Sequence, residues 1–306
     1  MISQRLQAAV VVLFVLVIAG VVAMLLMRAG SDTPVGTGSS AGSGDAPDPT
    51  DEGPVGRVSL SAGDGDLVVR FTAGGCDAEG GTKLELSENR GRSFHEILVP
   101  QFDDDGSGVS ATSPKVRAIV FAEASSPLTM TVGAADAKCD IHRYTTSDGG
   151  VSWTQETGAL GEWYLDPKTN AVVAPDGRPT DVGCSAVVSL APVKKSTAKV
   201  FCKNGTIRAT IDRGATWLVA GKLPNTSAAV FTGTLTGYAA VEEKACKSRI
   251  HVTADGGLTW VPRGCVIEEF AVPGFTGTDK RLVTGGCCGV RLSTDGGSTW
   301  KPSTMK

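Results

Sequence analysis

The chain has 306 residues, with 29 Lys and Arg against 32 Asp and Glu, and a formal net charge of −3 at pH 7. This balance excludes the basic surface that nucleic-acid binding requires, so no nucleic-acid partner is predicted. The eight cysteines include no pair at CxxC spacing, the spacing typical of zinc sites. Neither a metal site nor a cofactor is predicted.

Residues 8–27 form an uncharged, mostly apolar run, and about 20 such residues span the hydrocarbon core of a bilayer. The run predicts a transmembrane signal anchor, with residues 1–7 in the cytoplasm and the rest of the chain outside. This orientation depends on the charged amino terminus and on the cysteines, which favour an oxidising compartment. A cleaved secretory signal is the alternative, although its apolar region is usually about 7–15 residues long.

Residues 28–54 are rich in Gly, Ser, Thr, Pro and Asp and contain few large apolar side chains. Such a segment cannot bury enough apolar surface to offset its ordering entropy, so it is predicted to be a flexible linker. The folded domain is then residues 55–306.

An eight-residue repeat organises this domain. It has a small hydroxyl residue first, Asp or Asn third, glycine fifth, Ser or Thr seventh and an aromatic residue last. We call each copy a box, and the five boxes are residues 87–94, 146–153, 210–217, 253–260 and 293–300. Their third residues are Asn89, Asp148, Asp212, Asp255 and Asp295, and their aromatic residues are Phe94, Trp153, Trp217, Trp260 and Trp300.

Each box suits the turn of a β-hairpin. The carboxylate or amide accepts hydrogen bonds from turn N–H groups, the glycine adopts a positive φ, and the aromatic ring packs beneath the turn. Apolar and polar residues alternate before the boxes, as in Leu84-Glu85-Leu86, which is typical of a strand with one buried face. Before the second box, Arg143 and Thr145 take the apolar positions, so we expect that strand to face differently.

Two more strand-like runs precede each of these hairpins. Four short strands per repeat predict an all-β fold, a β-propeller of four-stranded antiparallel blades. Five blades are recognisable from their boxes. The long interval between the second and third boxes includes residues 158–183, which are either an inter-blade loop or part of a degenerate sixth blade.

The pattern Ser/Thr-x-Asp-x-Gly-x-Thr/Ser-Trp resembles the Asp-box, or bacterial neuraminidase repeat. This repeat occurs in sialidases, sortilin-type receptors and photosystem II assembly factors, and the resemblance covers residues 55–306. It implies a β-propeller in which the boxes are structural hairpins remote from any active site. The Asx residues are therefore interpreted as turn-holding groups and the aromatic residues as core.

The cysteines are interpreted as disulfide partners. Equivalent positions in neighbouring blades lie close together, which favours Cys76–Cys139, and Cys184 and Cys202 lie on adjacent strands of one blade. Cys246 and Cys265 pair either with each other or with the adjacent Cys287 and Cys288. Spacing alone does not choose among these connectivities.

The resemblance to sialidases implies an arginine triad and a tyrosine nucleophile with a glutamate partner. The usual arginine tripeptide is missing, and the nearest segments, Val116-Arg117-Ala118 and Val69-Arg70-Phe71, both have the pattern of a strand. The three tyrosines are Tyr144, Tyr164 and Tyr238, and the sequence context of Tyr144 and Tyr238 suits packing. No catalytic residue is predicted, and a sialidase-like glycoside hydrolase is the alternative function.

A non-catalytic binding or assembly module is the favoured function, with a protein or glycan ligand on one propeller face and the membrane contacted through the N-terminal helix. The first candidate for a contact surface is the loop with Trp163, Tyr164 and Asp166, because exposed aromatic residues concentrate in hot spots. The alternative is that this loop packs against the propeller.

Overall fold

The structure is a computed structural model that describes residues 58–72, 75–76, 82–101, 116–267, 274–278, 281–286 and 289–302. The predicted anchor, the predicted linker and the pair Cys287 and Cys288 lie outside these residues. Within the described part of the chain there is no helix long and apolar enough to cross a membrane.

The described residues form β-strands that alternate with short turns. The strands are β1 Val58–Ala62, β2 Val68–Thr72, β3 Lys83–Ser87, β4 His95–Ile97, β5 Ala118–Ala124, β6 Met130–Ala135, β7 Ile141–Thr146, β8 Thr154–Glu156, β9 Tyr164–Leu165, β10 Val172–Val173, β11 Pro179–Thr180, β12 Val187–Lys194, β13 Thr197–Cys202, β14 Thr206–Thr210, β15 Leu218–Lys222, β16 Thr226–Phe231, β17 Gly237–Glu243, β18 Cys246–Thr253, β19 Val261–Ile267, β20 Gly274–Thr278, β21 Arg281–Gly286, β22 Gly289–Ser293 and β23 Lys301–Pro302.

These strands make six antiparallel sheets, each a simple meander of consecutive strands, which are the blades of a six-bladed β-propeller. Blades 1, 2, 4, 5 and 6 have four strands, β1–β4, β5–β8, β12–β15, β16–β19 and β20–β23, and each contains one box. Blade 3 has the three short strands β9–β11 and lies within the interval 158–183. The sequence-based alternative of a degenerate sixth blade is therefore the one that the structure adopts.

Apolar clusters fill the interfaces between neighbouring blades, and both faces of a blade are covered by its neighbours. The second strands are the most buried, and every residue of β13 is buried. One pair from each interface illustrates this. The pairs are Leu84 with Ile119 between blades 1 and 2, Val173 with Val120 between blades 2 and 3, Val172 with Val200 between blades 3 and 4, Ile207 with Phe231 between blades 4 and 5, Ile250 with Leu282 between blades 5 and 6, and Val283 with Val68 between blades 6 and 1. The last cluster closes the ring without any exchange of strands between blades 6 and 1.

Arg143 explains the irregular strand before the second box. Ile207, Ile250 and Val290 occupy the equivalent position in other blades, and each belongs to the cluster shared with the next blade. Arg143 also points towards its next blade, where its guanidinium donates to the carbonyl oxygen of Leu160 at 2.7 Å. The expected change of facing is therefore wrong: the strand keeps its orientation, and the guanidinium meets the chain that leads into the small blade 3.

The meander gives the propeller two distinct faces. First-to-second connections and the boxes lie at one end of each four-stranded blade, which we call the box face. Second-to-third connections and the links between blades lie at the other end. We call this the cysteine face, for the disulfides described below.

Two glycines in last strands receive the box of the next blade. A methyl group on Gly221 in β15 would overlap the carbonyl oxygen of Gly257, and one on Gly264 in β19 would overlap that of Ser298. The Gly264 amide also donates to the Gly297 carbonyl at 3.0 Å. Blade and box can approach this closely because neither glycine has a Cβ.

We predict that Gly221→Ala and Gly264→Ala each lower the free energy of unfolding by about 1–3 kcal/mol, the usual cost of overpacking a well-packed contact. Chemical denaturation of the two variants measures this. Gly233→Ala is the matched control, because no atom lies within 4 Å of its added methyl group. Equal stabilities for the three variants would contradict the proposed contact.

Candidate functional site

The box of blade 5 shows how the recurring side chains of the repeat are used. The Thr253 hydroxyl donates to Asp255 Oδ1 at 2.7 Å and accepts the Gly257 amide at 2.9 Å. Across the turn, the Thr259 amide donates to Asp255 Oδ1 at 3.0 Å. The carboxylate and the buried hydroxyl thus hold both ends of the turn.

The same hydroxyl-to-glycine hydrogen bond recurs in all five boxes. Its length is 2.8 Å in the first box and 2.9 Å in the other four. The accepting hydroxyls belong to buried residues, and the donating glycines have positive φ angles between 78° and 101°. The pairs are Ser87 with Gly91, Thr146 with Gly150, Thr210 with Gly214, Thr253 with Gly257, and Ser293 with Gly297.

Hydrogen bonds within the turns keep the box carboxylates ionised. The pKa of Asp148, Asp212 and Asp295 is lowered to about 2, first by a side-chain hydrogen bond from Ser152, Thr216 and Thr299, respectively. The Thr259 hydroxyl and then the Thr259 amide hold the pKa of Asp255 well below its ordinary value. Carboxylates with such low pKa values are poor proton donors near neutral pH.

The aromatic residue of each box lies half-buried between its own blade and the preceding one. The Trp153 indole donates to the Leu98 carbonyl of blade 1 at 2.9 Å. Trp260 packs edge-on to Phe201 of blade 4, with ring centroids 6.0 Å apart. Trp217 packs against Trp163 at 5.9 Å, and Trp300 and Phe94 join the clusters of blades 5–6 and 6–1.

Lys199 is a buried cation that the sequence analysis did not identify. Its ammonium group donates to the carbonyl oxygen of Gly256 in the next box and lies 4.2 Å from the centre of the Phe231 ring. Burial lowers the pKa of Lys199, and the Asp255 carboxylate acts in the opposite direction. A lone lysine in a strand has no sequence signal for this role, so only the contact with the box reveals it.

The three tyrosines and Arg117 have structural contacts in the propeller. Tyr144, Tyr164 and Tyr238 are exposed by only 2%, 9% and 6%. Burial raises the pKa of Tyr144 to about 12 and also raises that of Tyr164. Arg117 donates to the Cys76 carbonyl at 2.8 Å. A tyrosine nucleophile has to reach its substrate with an activated oxygen, and the structure gives these residues the opposite environment.

The candidate contact loop includes the first strand of blade 3, β9, which begins at Tyr164. Trp163 and Tyr164 are buried, and the Trp163 indole donates to the Lys194 carbonyl at 3.0 Å. Asp166 holds the following turn by accepting the Lys168 and Thr169 amides at 2.9 and 2.7 Å. Because both rings are inside the protein, they do not form an exposed contact surface, and the loop packs against the propeller.

Among the cysteines that the structure describes, three disulfides form, and all three lie on the cysteine face. They are Cys76–Cys139, Cys184–Cys202 and Cys246–Cys265, with Cα–Cα distances of 5.6, 5.5 and 5.9 Å. Cys76–Cys139 joins the second-to-third connection of blade 1 to that of blade 2. Cys184–Cys202 joins the link between blades 3 and 4 to the end of β13 in blade 4. The structure also chooses between the open alternatives for Cys246, since its partner is Cys265.

A depression of about 450 Å³ lies on the same face and is lined by Asn225, Glu242, Glu243, Lys244 and Lys247. Glu243 accepts a hydrogen bond from Arg249 at 2.7 Å and lies 2.9 Å from the His251 ring. The His251 contact, followed by that with Arg249, lowers the pKa of Glu243. The charged run Glu242-Glu243-Lys244 was the sequence signal that could have drawn attention to this hairpin.

The fold and the disulfides define the class: an all-β, six-bladed propeller with one disulfide-linked face. No protein-family profile and no curated protein matches the chain. Among solved structures, it is similar to YCF48 from Cyanidioschyzon merolae, at 13% identity over 79% of this chain and 70% of that one, with a TM-score of 0.32.

Two further solved structures are remotely similar. YCF48 bound to D1 peptide is 14% identical over 81% of this chain and 68% of that one, with a TM-score of 0.28. A nidogen/laminin complex gives 11% identity over 78% of both chains, with a TM-score of 0.37.

We predict that the protein loses stability as the pH falls from about 4 towards 2. The carboxylates of Asp148, Asp212 and Asp295 have pKa values of about 2 in the folded protein against an ordinary 3.8. Each carboxylate therefore stabilises the folded state above pH 3.8. Near pH 3 each takes up about one proton when the protein unfolds, so its contribution to stability is lost as the pH falls towards 2. Urea denaturation between pH 2 and 5 measures the slope.

Thr299→Val tests the cause of this behaviour. It removes the hydrogen bond from the Thr299 hydroxyl, which lowers the pKa of Asp295 more than any other contact, so the Asp295 pKa, followed by NMR titration, should rise towards 3.8. An unchanged Asp295 pKa in this variant would refute the assignment.

We also predict that the disulfides differ in their contribution to stability. Cys76–Cys139 spans 63 residues and Cys184–Cys202 spans 18, so loop entropy gives about 4 and about 3 kcal/mol, respectively. Paired Cys→Ser variants, compared by chemical denaturation, should show the larger loss for Cys76–Cys139. The reverse order would contradict the entropic explanation.

Proposed function

We propose that the protein is a membrane-tethered, extracytoplasmic β-propeller that acts as a non-catalytic binding or assembly module. Its ligand would be a protein complex or another component of the cell envelope. The observation that carries this proposal is the set of three disulfides on one face. Disulfides persist in oxidising compartments, which supports export.

The disulfides also support a role in recognition. They constrain the connections between strands, and connections held in place by a rigid scaffold are the usual location of binding residues. A surface that is ordered before binding loses less conformational entropy when it captures a ligand. The charged depression around Glu243 and Lys244 is part of this face.

The direction of β1 indicates where the proposed linker joins. The β1–β2 connection is on the box face, so β1 begins on the cysteine face. A flexible linker of 27 residues, 28–54, would have a root-mean-square length of about 30 Å.

A sialidase-like glycoside hydrolase is the competing proposal. Its tyrosine nucleophile would have to be one of three buried tyrosines, and the box carboxylates are committed to their turns. A fluorogenic sialoside and a small panel of glycosides test this alternative directly. Turnover that depends on Tyr144, Tyr164 or Tyr238 would overturn the non-catalytic role.

The binding role is tested by recovering the tagged full-length protein from membranes in mild detergent and quantifying the proteins that accompany it. We expect a reproducible partner whose recovery falls at least about ten-fold in Lys244→Glu/Lys247→Glu, because the double reversal removes both lysines of the depression and breaks the Lys247–Glu242 ion pair, which changes its charge complementarity to a ligand. Lys301→Glu, an exposed lysine in the last strand of blade 6, is the matched control. Absence of any partner would contradict the proposal.

A further inference from the structure

Among the described residues, the last strand of each blade has no sheet neighbour on its outer side, so this edge can present unpaired N–H and C=O groups to another chain. Proteins usually protect such edges with short strands, charges or proline, because an unprotected edge pairs with an added strand. The six last strands of this propeller are protected to very different degrees.

Five of them follow the protective pattern. β4 is three residues long and begins with His95 and Glu96, and β8 is three exposed polar residues. β11 begins with Pro179, β19 contains Pro262 and Arg263, and β23 is Lys301 and Pro302. The edge of β19 is also occupied, since Gly264 donates to the Gly297 carbonyl at 3.0 Å.

β15 is the exception. It is five residues long, Leu218–Lys222, with one bulge at Ala220, and it has neither proline nor a charge before its last residue. Leu218 and Val219 are exposed by 71% and 65%, although both are large and apolar. Among the described residues, the backbone of β15 is hydrogen-bonded only to β14, although Gly221 lies against the box of blade 5.

We propose that the outer edge of β15 is a strand-addition site for an extended apolar segment of a partner protein. In this mode the partner's main chain pairs with the free edge, and its side chains meet the exposed Leu218 and Val219. The inference deepens the proposed binding function, on which it rests, by naming a surface and the conformation of the partner.

Size favours a partner segment over a second copy of this chain. β15 extends about 17 Å at 3.4 Å per residue, and a stable interface needs about 20–30 residues on each side. Two β15 edges would contribute five residues each, which suits the docking of a short segment.

The charges at the two ends of β15 indicate which residues the partner segment would carry. Arg213 is exposed in the turn that leads into β15, beside the exposed Asp212 whose carboxylate holds that turn, and Lys222 is exposed at the other end of the strand. An extended segment with acidic residues at both ends would match these two cations, and complementary charges increase association rates and specificity. The expected partner segment is therefore apolar at its centre and acidic at its ends.

The test uses a fluorescein-labelled heptapeptide in which valine and threonine alternate between two acidic ends. Binding to the full-length protein is followed by fluorescence anisotropy, and an otherwise identical peptide with a central proline is the control. We expect binding of the first peptide only, because proline removes a pairing N–H group. Equal binding of the two peptides, or no binding, would overturn the proposal.

The edge is then altered without touching the core. Leu218→Lys/Val219→Lys should raise the dissociation constant at least about ten-fold, since lysine on an edge strand opposes pairing. Val261→Lys is the control, because Val261 is exposed on β19, whose edge is already protected. Similar dissociation constants in all three proteins would overturn the assignment.

Two further outcomes separate the possibilities. Concentration-dependent dimers in sedimentation, abolished by Leu218→Lys/Val219→Lys, would assign the edge to a second copy and refute the partner segment. If membrane partners are retained equally by this variant and no peptide binds, the strand-addition site is wrong while the binding function stands. If the peptide binds but no membrane partner is found, the binding function fails independently.

Discussion

The structure depends on one repeated hydrogen bond, from the amide of a box glycine to a buried hydroxyl four residues earlier. A buried hydroxyl or amide without a partner is costly, and here each satisfies the other inside the turn. The glycine can take part because it adopts a positive φ that other residues rarely reach. Five repetitions of this bond, from Gly91 to Gly297, fix the same turn in five blades.

The fixed turn matters because it is also the contact between blades. The box aromatic lies against the preceding blade, and the box backbone meets Gly221 or Gly264 of that blade. Lys199 adds a buried cation to one of these contacts. The ring is then closed by side chains of blades 1 and 6, and disulfides restrain the opposite face. The boxes thus stabilise one end of the blades, and the disulfides stabilise the other end.

The sequence predicted what the repeat encodes, namely the strands around the boxes and the propeller architecture. It did not settle blade 3, because strands of two residues such as Val172–Val173 leave no periodic pattern to read. The sequence predicted the wrong facing for the strand of Arg143. Alternation assigns polar side chains to an exposed face, and it does not show that the chain leading into the small blade 3 leaves room for a guanidinium at a position that is apolar in the other blades. The pairing of Cys246 needed three-dimensional distances, since Cys287 and Cys288 have similar spacing from a box. Exposure of β15 is likewise a property of the folded ring.

Native-state hydrogen exchange tests the central hydrogen bond most directly. The account predicts that the amides of Gly91, Gly150, Gly214, Gly257 and Gly297 exchange as slowly as those of the buried second strands, although all five lie in turns at the surface of the propeller. Exchange at the rate of exposed loop amides would contradict it, because the turns would then open without disturbing the blades.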